Sequence, residues 1–314
     1  MENDRQRVEK ALVASVTTND AYMTEIASHL ISAGGKRLRP VFTIVGSQVG
    51  NDKVATEEAI AGGISCELVH LGSLYHDDVM DESDLRRGVE TVNARWGNLQ
   101  AILAGDFLLA KASEIAASLG TEVAGLLART IGRLCEGQIE ELRHTYNVAR
   151  TVDSYLDSID GKTAALYSTA ARIGGLVAGH DRAVVDALTA YGTAYGMVFQ
   201  IVDDVLDLTA TDEELGKPAG NDMKEGVYTL PVLHTLAKGG TDADTLKSIL
   251  GKPLTVEERD SVLKIVRTNG GVDVAIEKAR AFVADAERAC DALPTGITSD
   301  AMRAATAALL ATVS

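Results

Sequence analysis

Proline is almost missing from the interior of this chain. The 314 residues hold five, Pro40, Pro218, Pro231, Pro253 and Pro294, and positions 41–217 hold none. Proline breaks helices by removing an amide donor and clashing with the preceding turn. A proline-free stretch of that length, rich in Ala and Leu, therefore predicts a stack of long helices. Aromatic residues are scarce, at 4%, which leaves the core to Ala, Leu, Val and Ile. Cys66, Cys135 and Cys290 lie far apart with no CxxC pair; this excludes a disulfide framework and fits reduced thiols. No run approaches the roughly 18 apolar residues of a membrane span. The first residues, MENDRQR, have no apolar segment of the signal-peptide kind. The expectation is a cytoplasmic protein with no integral membrane segment.

Basic charge is short as well. Thirty Lys and Arg face 45 Asp and Glu, a net charge of −15. That balance excludes nucleic acid as a partner, because such binding depends on cations neutralising phosphates, and it opposes docking on anionic membranes. Alternating strand patterns closed by Asn-Gly or Asp-Gly turns are missing, so the fold class is all-α. Glycine breaks at Gly34-Gly35, Gly50, Gly120, Gly179, Gly239-Gly240 and Gly270-Gly271 leave helical segments near 55–82, 98–118, 121–147, 152–177 and 181–209. Thr121, Asp153 and Asp181 are the expected N-caps. The segment 59–79 is apolar nearly all round and belongs inside a bundle. No linker or low-complexity tract divides the chain, which predicts a single domain over 1–314.

Against this background two acidic clusters stand out. Asp77-Asp78-Val79-Met80-Asp81 reads DDxxD, and Asp203-Asp204-Val205-Leu206-Asp207 repeats it inside a second apolar run. On a helix the first and fifth residues are i,i+4 neighbours on one face, roughly 5–6 Å apart at Cβ. Carboxylates clustered in apolar surroundings repel one another and are desolvated at high cost, so a cation between them is expected. Magnesium suits such a site, since it takes a few carboxylates and completes its sphere with waters and phosphate oxygens. Cations occur where phosphates would need them. Lys36, Arg37 and Arg39 follow Gly34-Gly35, Arg86-Arg87 follow the first motif, Lys162 follows Gly161, and Lys217 and Lys224 follow the second motif.

The ordered set GGKRLRP, HLGSLYHDDVMDESDLRRG, GKTA, FQIVDDVLD, LGKPAGND and EGVYTLP, running from residue 34 to 231, resembles the trans-polyprenyl diphosphate synthases, head-to-tail prenyltransferases of isoprenoid biosynthesis. The resemblance implies an isoprenoid synthase fold, a large helical bundle around a central cavity, and a homodimer. It implies that Asp77, Asp81, Asp203 and Asp207 bind several Mg2+ ions, with Asp78 and Asp204 supporting them. Lys36, Arg39 and His70 would hold isopentenyl diphosphate, assisted by Arg87. Arg86, Lys162 and Lys217 would grip the allylic diphosphate. Thr163 and Gln200 would face the reacting carbons, with Phe199 packing nearby. Ionisation of the allylic diphosphate, attack by the isopentenyl double bond and loss of a proton then lengthen the chain by one isoprene unit, and released diphosphate serves as base. The stretch Gly216–Asn221 is a candidate lid. One departure is Val227, where the family commonly has Lys; nearby Lys224 is the candidate replacement.

Product length is expected to be set by the helix upstream of the first motif. One helical turn rises about 5.4 Å, close to one extended isoprene unit, so side chains there act as a ruler. An aromatic four or five residues before the motif stops growth early in this family. Here Ser73 and Gly72 occupy those positions, Val69 lies below them, and Tyr75 faces elsewhere. Small residues predict a long all-trans product, about C30 to C50 at one unit per turn. A geranylgeranyl or other medium-chain diphosphate is the alternative. The non-enzyme alternative is a non-catalytic subunit of a heteromeric synthase, which would not need all six aspartates.

Overall fold

The computed structural model describes residues 2–51, 54–210 and 219–313. Lys217 and the stretch 216–218 of the expected lid lie outside the described residues. The chain divides into two compact units. One comprises Met1–Ile131, Leu166–Thr189 and Ala292–Ser299; the other comprises Gly132–Ala165, Ala190–Asp291 and Asp300–Ser314.

Helices α1 (Glu2–Val16), α2 (Ala21–Ser32), α3 (Leu38–Gln48), α4 (Glu57–Met80), α5 (Val92–Trp96) and α6 (Asn98–Ser118) precede α7 (Thr121–Arg143), within which the chain leaves the first unit. In the second unit α8 (Val152–Ile159) leads through a π-helical turn, Asp160–Ala164, into α9 (Ala165–Val177) of the first unit. The chain returns within α10 (Arg182–Thr209). Then follow α11 (Asn221–Lys224), α12 (Leu230–Lys238), α13 (Gly240–Ile249), α14 (Val256–Thr268), α15 (Gly271–Asp291) and α16 (Ile297–Leu310). The all-α expectation holds. No helix among the described residues is long and apolar enough to cross a membrane.

The one sheet among the described residues is a two-stranded hairpin, β1 (Leu85–Arg86) and β2 (Val89–Glu90). Its turn residues Arg87 and Gly88 both have positive φ, 55° and 78°, the combination that matches the twist of paired strands. Strands of two residues are too short to show an alternating pattern, and the turn is Arg-Gly rather than Asn-Gly or Asp-Gly. The sequence therefore gave no sign of it.

In the first unit α4 is the central helix, and its principal neighbours are α6 and α3. Thr56 caps it by accepting from the Ala59 amide at 3.2 Å, and Glu57 and Glu58 occupy the first turn, where the helix dipole favours acid. Ile60, Ile64, Leu68, Val69 and Leu71 are all buried. Each such side chain contributes about 1.5–3 kcal/mol of burial, so α4 is held on several faces at once. The second unit has its own core around Val198, Ile201, Val202 and Val205 of α10, joined by Val232 of α12 and Val262 of α14. The cap of α8 is Thr151, whose hydroxyl accepts from the Ser154 amide at 3.1 Å. Asp153 is therefore not the cap; it lies within the first turn.

Candidate active site

The first motif ends α4. Asp77 is half-buried and Asp81 exposed, and the Asp81 amide donates to the Asp77 carbonyl at 2.8 Å, so the two stand one turn apart on one side of the helix. Asp78 points the other way. It is 1% exposed and accepts from Arg86 Nε at 2.6 Å. Burial raises its carboxyl above the ordinary value, and the Arg86 charge opposes that rise. Arg86 is thus anchored at its Nε atom by an aspartate of the motif.

The basic residues of this unit differ in how far they are committed. Arg87 donates to the carbonyls of Leu30 and Gly34, which fastens the hairpin turn to the loop before α3. Lys36 is exposed. Arg39 lies 4.5 Å from the centroid of the Tyr167 ring, and its Nε is buried without a partner. His70 is half-buried. Burial, with the fields of Arg39, Arg87, Arg86 and Arg37, holds its imidazole well below the usual range. His70 is therefore neutral in a strongly cationic place, able to meet an anion as a hydrogen-bond donor. His76 packs towards α6, 3.2 Å from the Ile102 carbonyl and 3.4 Å from Asp106.

On the same helix Tyr75 sends its hydroxyl to the Ile26 carbonyl at 2.8 Å, so its ring is turned to α2. Ser73 is half-buried, with its hydroxyl on the His70 carbonyl at 2.9 Å, and Val69 is fully buried. Gly72 corrects the expectation of open space. A Cβ there would lie 3.0 Å from the Gly105 carbonyl oxygen and 3.3 Å from Leu109 Cγ. Its missing side chain admits α6, not product.

The second motif lies in the last turns of α10. Asp203 is exposed, whereas Asp204 and Asp207 are each 4% exposed. Both oxygens of Asp204 are taken: Tyr155 of α8 donates to one at 2.5 Å and Gln200 to the other at 2.8 Å. Burial lifts this carboxyl well above the usual carboxylate range against those two hydrogen bonds. Asp207 accepts the Asp222 amide at 3.3 Å through its side chain and the Gly220 amide at 2.7 Å through its carbonyl, which ties it to the start of α11.

The π-helical turn presents Lys162 and Thr163. It forms where Gly161 meets Gly137 of α7; a Cβ on Gly137 would lie 2.5 Å from the Lys162 amide nitrogen. The extra residue of a π-turn re-aims side chains locally. Lys162 reaches Glu141 of α7 at 2.5 Å, and the Thr163 hydroxyl donates to the Gln200 amide oxygen at 2.8 Å. Phe199 stacks on Tyr195 with centroids 6.5 Å apart.

Among the described residues no group of three or more His, Cys, Asp or Glu is gathered into a ready metal cage. The donor set still fits a hard cation. Each motif offers carboxylate oxygens one helical turn apart, and magnesium or calcium takes a few such ligands with the remainder from water or phosphate.

Residues 20–267 match the family described as polyprenyl synthetase. The chain belongs to the polyprenyl synthetase family. It is 38% identical to nonaprenyl diphosphate synthase of Mycobacterium tuberculosis, over 92% of this chain and 86% of that protein. It is 36% identical to heptaprenyl diphosphate synthase component 2 of Geobacillus stearothermophilus, over 94% and 91%. The crystal structure of a polyprenyl synthase from Caulobacter crescentus, complexed with calcium and isoprenyl diphosphate, superposes with a TM-score of 0.91 at 31% identity, covering 98% of this chain and 94% of that one.

In this polyprenyl synthetase Val227 is half-buried and its amide donates to the Asp222 carbonyl at 2.8 Å. Lys224 is exposed, and its carbonyl accepts from the Tyr146 hydroxyl at 3.3 Å. Three groups were not legible in the sequence: Tyr155, Glu141 and Glu67. Each acts through a contact with a residue far away in the chain, and acidic or aromatic residues inside helices carry no local mark of that. Only the burial of a polar residue could have pointed to them, and burial is a tertiary property.

Proposed function

We propose that this chain condenses isopentenyl diphosphate with an allylic diphosphate, releasing diphosphate and building a long all-trans polyprenyl diphosphate of about C30 to C50, one isoprene unit per helical turn of ruler. The observation that carries the reading is the sorting of the two motifs: Asp77, Asp81 and Asp203 are less buried than Asp78 and Asp204, which are taken up by Arg86, Tyr155 and Gln200. Asp77, Asp81 and Asp203 would hold Mg2+, which stabilises charge on the leaving diphosphate; Asp207, one turn on from Asp203, would join them although it is as buried as Asp204.

The chain's own residues then have distinct tasks. Lys36, Arg39 and neutral His70 bind isopentenyl diphosphate, with Arg87 shaping that turn. Arg86, Lys162 and Lys217 bind the allylic diphosphate. Thr163 and Gln200 present a fixed polar pair to the reacting carbons. The apolar surroundings keep water from the allylic cation. Val69 and Ser73 line the path of the growing product, and the long-chain names of both relatives agree with modest side chains there.

The two units work as one polyprenyl synthase domain, in the cytoplasm and as a homodimer. The exposed apolar face of α6, where Leu99 is 74%, Leu103 65% and Ile102 41% accessible, is the kind of surface a second copy covers. Incubating the purified single chain with labelled isopentenyl diphosphate, a short allylic primer and Mg2+ tests the reading. Long labelled products that disappear with a chelator are expected. No product from the single chain would overturn it in favour of a subunit needing a partner, and a product ending at geranylgeranyl diphosphate would overturn the length.

A further inference from the structure

Arg37 is the most enclosed of the cations near the first motif. It stands directly before α3 in the left-handed region, with φ 51° and ψ 42°, a conformation that costs a residue with a Cβ. Its guanidinium is over-determined. Nε and Nη2 fork onto the two oxygens of Glu9 at 2.8 and 3.2 Å, Nη1 reaches Glu67 at 3.3 Å, and Nη2 also donates to the Ile31 carbonyl at 2.8 Å. Burial opposes the charge, yet the two carboxylates lift the Arg37 pKa above its ordinary value. Such a fork fixes orientation as well as position.

Glu67 is 2% exposed, on α4, one turn before His70. Besides Arg37 it supports the charge of Arg87, which stands among the like charges of Arg37, Arg86 and Arg39. A Cβ at Gly35 would lie 3.0 Å from Arg87 Nη1 and 3.2 Å from Arg37 Nη1, so the two guanidinium groups close on that glycine. Glu9 comes from α1, before the residues that match the family.

We infer that Glu67 and Glu9 are positioning residues for the isopentenyl diphosphate site. Through Arg37 they lock the left-handed turn that sets Lys36 and Arg39, and Glu67 lets several like charges stand together in the absence of substrate. This rests on the reading of the function proposed above. Neither carboxylate touches substrate; an anionic ligand would be repelled by them, and each is spent on Arg37.

The test uses the full chain with Glu67→Gln, Glu67→Asp and Glu9→Gln. Binding of isopentenyl diphosphate alone is measured by calorimetry, and KM is measured for each substrate. Glu67→Gln is expected to weaken isopentenyl diphosphate about tenfold, which is about 1.4 kcal/mol, with allylic KM and kcat nearly unchanged. Glu67→Asp restores part of the loss, and Glu9→Gln gives a smaller loss of the same kind. Unchanged affinity in folded Glu67→Gln, or equal weakening of both substrates, overturns the inference. Should Glu67→Gln fail to fold, Glu9→Gln decides alone, because Glu9 is partly exposed and its loss is milder. A wild-type chain that neither binds nor consumes isopentenyl diphosphate overturns the function and the brace together; an active wild type with unaffected variants overturns the brace only.

Discussion

Thr163 and Gln200 are joined by a hydrogen bond of 2.8 Å in which the hydroxyl donates and the amide oxygen accepts. The amide nitrogen in turn donates to Asp204, so both ends of the Gln200 amide are fixed. Removing the hydroxyl leaves the amide held at its Asp204 end only, without opening a cavity, since valine has nearly the shape of threonine. Thr163→Val is expected to lower kcat on the order of tenfold, in keeping with loss of one preorganised dipole, while circular dichroism and the melting temperature stay close to wild type. Thr163→Ser should recover most of the rate. A Thr163→Val enzyme with wild-type kcat would remove the pair from the reacting centre.

Aspartates within one motif should separate into two kinds of mutant. Asp77→Ala leaves the packing of α4 intact and is expected to reduce turnover by several orders of magnitude, with little change in urea midpoint. Asp78→Ala strands Arg86 beside a buried void. It should cost about 1–3 kcal/mol of stability, the penalty for an unsatisfied buried partner, and shift the urea midpoint accordingly. Equal midpoints for the two variants would contradict the division of roles.

The division of roles was only partly readable from the residues. The long helices were legible because Pro and Gly punctuation is local; α6 runs over 98–118 as expected, and α4 falls inside 55–82. The motifs were legible because DDxxD at helical spacing has few other uses in an apolar run. What escaped was which atom each charged group is spent on. Arg37, Arg39 and Lys36 look alike in GGKRLRP, yet one is locked between Glu9 and Glu67, one lies over Tyr167 and one is exposed. Those outcomes depend on contacts 28 and 30 residues away for Arg37, beyond the reach of periodicity. Gly72 misled for the same reason, because a small residue that admits a helix and one that admits a ligand read identically.

His70 gives the stability a pH dependence of known sign. Its folded-state pKa is pushed well down by burial and four arginines, whereas an unfolded histidine titrates at about 6.5. Below that pH the unfolded chain takes up a proton that the folded chain refuses, so stability is full above about pH 7 and falls as pH drops, by at most about 1.4 kcal/mol per pH unit. His70→Asn removes this slope. The difference in urea midpoint between wild type and variant should narrow from pH 7.5 to pH 5.5. A constant difference across that range would mean that His70 takes up its proton in the folded chain as readily as in the unfolded one.

Ser73 and Gly72 make opposite predictions for an added side chain. Ser73 is half-buried, and its hydroxyl is turned back onto its own helix, so a larger side chain there meets what lies beside α4. Ser73→Phe is expected to keep turnover of the primer and to shift the products to shorter chains, read by mass spectrometry of the dephosphorylated alcohols. At Gly72 even a methyl group meets the Gly105 carbonyl at 3.0 Å, and backbone cannot swing aside as a side chain can. Gly72→Ala should therefore cost about 1–3 kcal/mol by overpacking the contact of α4 with α6. Its product length should be unchanged. Shorter products from Gly72→Ala at unaltered stability would put the growing chain against α6 and reverse the assignment of the two positions.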